Sequence, residues 1–379
     1  GTSIMVSQFF GAKDRESLSK TIGSTITLTA VSSLIIMVLG SVTIRPLLKM
    51  LNTPASIIDW CTSYLLILIV GIMGVAYYNM FCGILRGLGD SLSALVYLLV
   101  ATVINIVLDL WFVAGLQMGV AGVALATVIA QMVSAVLCFF KLKRMTDVFD
   151  LKFKYLKPDM ENIMTILRLG LPSGITQAIF SMAIVVVQSL TNSFGEMVIA
   201  ANVIIMRVDG FAMMPNFSFG TAMTTYSGQN VGEREFDRVH KGAKQGTIIA
   251  AGTSAAITGL ILIFGKYLMG IFTNTSELVT LSANMMKILA VGYIAMAVTQ
   301  SLSGVMRGAG DTMTPMWISI VTTVFIRVPL AYGIAHFTKT PELPGGRYEC
   351  IWVSLLISWV LGAVLTVVFY RIGKWKNKG

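Results

Sequence analysis

Charged residues are scarce in this 379-residue sequence: Asp, Glu, Lys and Arg together contribute 12% of it, and histidine occurs only twice. No HExxH, P-loop or GxSxG pattern is present, which argues against a membrane enzyme. The four cysteines have neither paired nor metal-ligand spacing, so we expect small packed thiols and no disulfide or zinc site. No organic cofactor is expected.

Hydrophobic residues, by contrast, make up 55% of the chain and form a series of long apolar runs. A helix of roughly 20 residues crosses the ~30 Å hydrocarbon core of a bilayer. The sequence therefore predicts an all-α polytopic membrane protein. Ten spans are predicted, at residues 22–44, 57–85, 91–115, 117–140, 163–190, 198–226, 243–272, 278–305, 313–335 and 349–372.

The basic residues follow this predicted topology. If the loop at residues 13–20 is cytoplasmic, 20 of the 28 Lys and Arg fall on the cytoplasmic side. This bias predicts a multi-pass protein of the plasma (inner) membrane whose C-terminal tail, "RIGKWKNKG", is cytoplasmic. It also explains the net charge of +10 without nucleic acid. The expected partners are the lipid bilayer and small organic substrates, and the protein is expected to be a monomer.

The chain spells nearly the same polar stretch twice: "GILRGLGDS" at residues 83–91 and "GVMRGAGDT" at residues 304–312. The same offset of 221 residues pairs further identical residues without a gap over about 80 positions, which indicates an internal duplication. In each copy, Gly is expected to allow a tight turn, Arg to mark the cytoplasmic face, and Asp with Ser or Thr to cap the next helix.

The duplication also predicts the domain organisation. The second copy begins near residue 165 and has six predicted spans, so we expect the first to lack one span and most of a second. Residues 1–144 are expected to form the incomplete N-terminal lobe, 145–162 a cytoplasmic linker, and 163–379 the C-terminal lobe with its basic tail. Because six is even, a pseudo-two-fold axis along the membrane normal would relate the lobes, with a ligand path between them.

Asp109 is the clearest candidate for chemistry, because an ionisable residue inside a span is costly. Asn105 lies one turn before it on the same helix face, and Thr127 is expected at a similar depth on the next span. Carboxylate, amide and hydroxyl oxygens suit Na⁺ or a proton held on the carboxylate. Alternatively, Asp109 reaches the headgroups and Asn105 bonds to a neighbouring helix.

The second lobe also carries charge inside its spans. Arg207 and Asp209 are two residues apart and do not face each other on a helix, so we expect Asp209 to pair with Arg327. That pair would be structural or would contact substrate. Side-chain amides that interrupt apolar runs are further candidates for a substrate cavity, although such groups also hold helices together. They include Asn79, Gln131, Gln177 and Gln300.

The sequence resembles the MATE (multidrug and toxic compound extrusion) family, through motifs that run along the whole chain. These are "SQFFGAKD", "GILRGLGDS", "NIVLDLWF", "GVAGVALATVIAQ", "GLPSGI" and "GQNVGERE". The resemblance implies two six-helix lobes that alternate access and export organic, often cationic, compounds against inward Na⁺ or H⁺.

Asp109, Asn105 and Thr127 match the cation-coupling positions of one branch of that family, which also uses an Asp on its first span. In another branch the coupling carboxylates lie in the second half, where this chain has Phe180 and Met296 at the roughly corresponding positions.

Two other transporter classes stay open. A lipid-linked oligosaccharide flippase needs a strongly cationic cavity, and only two Arg lie within the predicted spans. A major-facilitator-type transporter also has two six-span halves, but the duplicated RGxGD loop is not part of that family.

Overall fold

The computed structural model describes residues 1–377, and within that range it contains helices and connecting loops but no β-strand. The α-helices of the described part are α1 (Thr2–Gly11), α2 (Arg15–Met50), α3 (Ile58–Val70), α4 (Ile72–Gly87), α5 (Ser91–Asp109), α6 (Gly119–Lys143), α7 (Met160–Asn192), α8 (Glu196–Gly232), α9 (Phe236–Gly270), α10 (Ser276–Ala290), α11 (Gly292–Gly308), α12 (Met313–Ile320), α13 (Val328–Phe337) and α14 (Cys350–Ile372). Two π-helical segments, Leu110–Gly115 and Val321–Arg327, follow α5 and α12.

Eight helices, with the π segments included in their lengths, are long and apolar enough to cross a membrane. Two bent pairs bring the number to ten if each pair is one span: α3 with α4, bent by 47°, and α10 with α11, bent by 42°. The all-α polytopic class predicted from the sequence is therefore confirmed. Each bend has a glycine against a neighbouring side chain: a β-carbon on Gly71 would overlap Val128, and one on Gly292 would lie 2.6 Å from Trp359.

The duplication is visible in the helix boundaries. Helix α2 begins at Arg15 and α9 begins at Phe236, 221 residues later. The turn before each helix contains a left-handed residue, Lys13 with φ of 56° and Arg234 with φ of 63°. Equal turns at the same offset mean that both copies keep the same local backbone.

The repeated polar loops are turns followed by helix caps, as predicted. Gly89 and Gly310 have φ of 89° and 92°, a conformation that favours glycine. The Asp that follows each glycine accepts hydrogen bonds through both carboxylate oxygens: Asp90 from the backbone N–H (3.0 Å) and hydroxyl (2.7 Å) of Ser93, and Asp311 likewise from Thr314 (3.3 and 2.7 Å). Partial burial raises the pKa of Asp90, but the bonds from Ser93 and the nearby Lys141 lower it further, to below its usual value.

The contacts within the chain divide it into two compact units, one at Gly1–Leu167 and the other starting at Arg168, so that the boundary lies inside α7. In the first unit the core forms where α2, α4 and α6 meet, around Ile22, Leu85 and Cys138. In the second unit the largest core gathers α8, α10, α11 and α14, around Met286 and Tyr293. Each unit therefore has a hydrophobic core of its own.

A strap at residues 146–156, which includes a 3₁₀ turn at Phe153–Leu156, lies along α2. Arg15 donates to the backbone oxygens of Thr146 and Asp147 and forms an ion pair with Asp150 at 3.0 Å. The hydrogen bond from Arg15 holds the pKa of the Asp150 carboxyl below its usual value.

Further along α2, the strap is held by hydroxyl groups and by close packing. Ser19 accepts from the backbone N–H of Asp150 at 2.8 Å, and Thr27 donates to the backbone oxygen of Leu156 at 2.6 Å. Between these two bonds, Gly23 lies so close to Tyr155 that a β-carbon would overlap the tyrosine's backbone oxygen. The strap is thus attached to α2 over about three turns of the helix.

We expect Gly23→Ala to loosen the strap. Overpacking costs about 1–3 kcal/mol, and cleavage by a protease follows the population of the open segment. Trypsin should therefore cut after Lys152, Lys154 or Lys157 about fivefold faster or more in the variant. Gly174→Ala is the matched control, because a β-carbon there meets nothing within 4 Å. Equal cleavage rates in the two variants would contradict close packing at Gly23.

Candidate functional site

The first unit brings together two of the three predicted cation-coupling residues. Asn105 on α5 donates from Nδ2 to the hydroxyl oxygen of Thr127 on α6 at 3.3 Å. Thr127 in turn donates to the backbone oxygen of Val123 at 3.1 Å. The bond from Asn105 uses its amide nitrogen and not its amide oxygen, so the pair keeps oxygen atoms available for a cation.

Asp109 ends α5, at the point where the backbone changes from α-helical to π-helical. Its Oδ1 atom is buried and has no hydrogen-bond partner within the described chain. A buried acceptor without a partner costs about 1–3 kcal/mol, and more when it is charged. A proton or a cation bound at Oδ1 would remove that cost. Among residues 1–377 no three His, Cys, Asp or Glu side chains cluster as metal ligands, so such a cation would rely on amide and hydroxyl oxygens.

Two of the predicted cavity residues in the first unit lie apart from this cluster. Gln131 has a buried Oε1 without a partner in the described structure. However, α5 and α6 form a hairpin, so Asp109 lies about one turn to one side of the Asn105–Thr127 bond and Gln131 about one turn to the other side. The two residues are therefore about 12 Å apart along the helices. Asn79 is exposed and donates to the backbone oxygen of Val75, one turn earlier in its own helix, at 2.9 Å.

In the second unit, the predicted ion pair between Asp209 and Arg327 is wrong. Asp209 Oδ1 instead accepts a hydrogen bond from the hydroxyl of Tyr293 at 2.9 Å. Arg327 interacts with Asp209 electrostatically but does not reach ion-pair distance, and its buried Nε has no partner in the described part of the chain. The buried tyrosine supplies a direct neutral donor, so Asp209 does not need Arg327 as a partner.

Sequence reasoning missed Tyr293. It is fully buried, its ring packs at 5.7 Å from that of Trp359, and its backbone oxygen accepts from Asn216 at 3.2 Å. Asn216 is fixed in turn by the hydroxyl of Ser254, 2.7 Å away. The sequence did contain a signal for this network, because Asn216, Ser254 and Tyr293 are polar residues within apolar runs. Tyr293 also directly follows the glycine at the α10–α11 bend.

The two remaining amide candidates differ in setting. Gln177 on α7 is exposed. Gln300 on α11 is half-buried, and its Oε1 would lie 3.3 Å from a β-carbon on Gly220, so this amide packs against α8. The structure therefore supports helix packing for Gln300 and leaves the Gln177 side chain accessible.

The chain is similar to known families and proteins. A family model described as MatE matches residues 1–111 and 172–333. The chain is 30% identical to the probable multidrug resistance protein YoeA of Bacillus subtilis (strain 168), over all of this chain and 82% of that protein. It is 24% identical to the probable multidrug resistance protein NorM of Thermotoga maritima, over all of this chain and 81% of that protein.

The fold agrees with that family. A solved structure of a MOP superfamily transporter from Pyrococcus furiosus superposes with a TM-score of 0.91 at 23% identity, covering 98% of this chain and 82% of the other. The extent of the family match, the curated relatives and the helices long enough to span a bilayer confirm the resemblance seen in the sequence. The chain belongs to the MATE family of multi-pass membrane transporters, and it is therefore a transporter and not an enzyme.

Proposed function

We propose that this protein is an antiporter that exports amphipathic, often cationic, organic compounds against an inward flow of H⁺ or Na⁺. The relatives named as probable multidrug resistance proteins support multidrug export as the activity. We also propose that it lies in the plasma (inner) membrane with its C-terminal tail in the cytoplasm, because the basic loops fall mainly on that side. We propose that it works as a monomer.

The observation that carries the proposal is the buried Oδ1 of Asp109, which has no partner among the described residues, beside the Asn105–Thr127 hydrogen bond. A buried carboxylate oxygen without a partner costs free energy, and a bound H⁺ or Na⁺ would supply the missing partner. A ligand shifts a conformational equilibrium only as far as its affinities for the two states differ. Coupling therefore requires that the ion bind Asp109 more tightly in one arrangement of the first lobe than in the other.

The polar side chains outside that cluster are proposed to contact the transported compound. In the first unit these are Asn79 and Gln131, and in the second Gln177, Gln300, Asp209 and Arg327. Each lies in an otherwise apolar helix, where few polar groups orient a ligand that is held mainly by apolar contact.

The test is transport into or out of vesicles that contain the purified protein. We expect rhodamine 123, a cationic dye, to move faster when a Na⁺ gradient or a pH gradient is imposed in the opposite direction than when neither is present. Applying the two gradients separately, with the membrane potential clamped, identifies the coupling ion. Dye movement that is unchanged by both gradients would contradict antiport.

A further inference from the structure

Arg327 is a cation that the fold keeps unpaired inside an apolar span. It ends the π-helical segment Val321–Arg327, and its Nε is buried without a hydrogen-bond partner in the described chain. Charged groups within membrane spans face the interior of the bundle or a water-filled path, because lipid does not solvate them. A buried guanidinium N–H without an acceptor is costly, so the site favours a ligand that supplies one.

Asp209, the one acidic residue of the described chain that interacts with Arg327, is held by another partner. Asp209 accepts from the hydroxyl of Tyr293, and Tyr293 cannot easily move because its ring packs on Trp359 and its backbone oxygen accepts from Asn216. Tyr293, packed on Trp359, therefore keeps the carboxylate of Asp209 away from the guanidinium of Arg327. Both charges stay available to groups of opposite sign.

We propose that Arg327 binds the carboxylate of the exported compound, and that Asp209 selects for a positive group on the same molecule. This inference rests on the proposed function and names the chemistry of its ligand: a zwitterionic, otherwise apolar organic compound. Guanidinium groups bind carboxylates with two parallel N–H···O bonds, and Nε–H with one terminal N–H makes such a fork. Asp209 repels a ligand that carries negative charge alone.

Arg207 provides an internal comparison. It lies two residues before Asp209 on α8, so the two side chains point to different sides of that helix, and Arg207 is exposed. Arg207 carries the same charge as Arg327 and lies in the same unit, but its side chain is not buried. Substituting Arg207 therefore changes the charge of the lobe but not the proposed site.

The experiment measures binding of two dyes by fluorescence anisotropy, with the protein in a non-ionic detergent that has no phosphate headgroup. Rhodamine 110 carries a free carboxylate, and rhodamine 123 is its methyl ester. We expect Arg327→Gln to weaken binding of rhodamine 110 about tenfold or more, as for the loss of a charge-assisted bidentate pair. Binding of rhodamine 123, which has no free carboxylate, should weaken much less than binding of rhodamine 110, and Arg207→Gln should leave both affinities within about twofold.

Two further variants sharpen the test. Arg327→Lys keeps the charge but loses the fork, so its affinity for rhodamine 110 should lie between those of wild type and Arg327→Gln. Tyr293→Phe removes the donor that holds Asp209, so Asp209 should turn to Arg327 and rhodamine 110 should bind more weakly.

Rhodamine 123 binding also shows that each variant is folded. If Arg327→Gln bound rhodamine 110 as well as wild type does, or lost both dyes equally, the inference would be overturned while the proposed function stood. If the wild-type protein bound neither dye, both would fail.

Discussion

Asp109→Asn is expected to lose gradient-driven export of rhodamine 123 while the protein still reaches the membrane. The amide has nearly the shape of the carboxylate but carries no negative charge to attract a cation. Hydrogen bonds and contacts to charged groups contribute about 1.5–3 kcal/mol, which corresponds to about a tenfold to hundredfold loss of coupling. The measurement is the rate of dye movement with and without the imposed ion gradient.

The control for this variant is Asp59→Asn. Asp59 pairs with Arg45 at 3.2 Å, but its side chain is 80% exposed, so the pair contributes little and the substitution removes the same charge without touching the cluster. Asp59→Asn should export at the wild-type rate. Gradient-driven export by Asp109→Asn at the rate of the Asp59 variant would remove the role assigned to Asp109.

Gly304→Ala is expected to destabilise the protein strongly. Gly304 and Gly308 lie one turn apart on α11, and a β-carbon on Gly304 would overlap the backbone oxygen of Gly220 on α8. A backbone atom cannot move aside as the end of a side chain can, so the helices must separate. Overpacking costs about 1–3 kcal/mol, and we expect the Tm of the purified protein to fall by about 5 °C or more.

Gly259 supplies a matched control for Gly304, because it lies in the interior of α9 and a β-carbon there would meet nothing within 4 Å. Gly259→Ala should raise the Tm slightly because alanine stabilises helices. A fall in Tm for Gly304→Ala no larger than that for Gly259→Ala would show that α8 and α11 are not in close contact.

The helices and their repeat could be predicted because both depend on local signals. Apolar runs of membrane-spanning length set the spans, and the turn at Gly89 and the cap at Asp90 need only a few neighbouring residues. The approach of Asn105 to Thr127 was also predictable, since helical spacing and a short connection between α5 and α6 place them at one depth. The hydrogen bond between them agrees equally with the alternative interpretation, in which Asn105 bonds to a neighbouring helix. Whether Asp109 couples transport to an ion stays a prediction.

The partner of Asp209 was not predictable in this way. Two opposite charges in apolar helices suggested an ion pair, but a neutral phenol at 2.9 Å took the place of the arginine. That choice depends on which residues α8, α11 and the π-helical segment present to one another, and periodicity does not specify it. The role of Gly304 was likewise hidden, because a glycine in a helix gives no sign of which helix packs against it.

The strap on α2 can form only late in the synthesis of the first unit. The hydrogen bonds of the strap join residues 129 to 135 positions apart in the sequence. Helix α2 therefore emerges from the ribosome long before the strap has been synthesised. Until then Arg15, Ser19 and Gly23 lack these partners. The strap can reach its place on α2 only after the chain has been synthesised through Leu156.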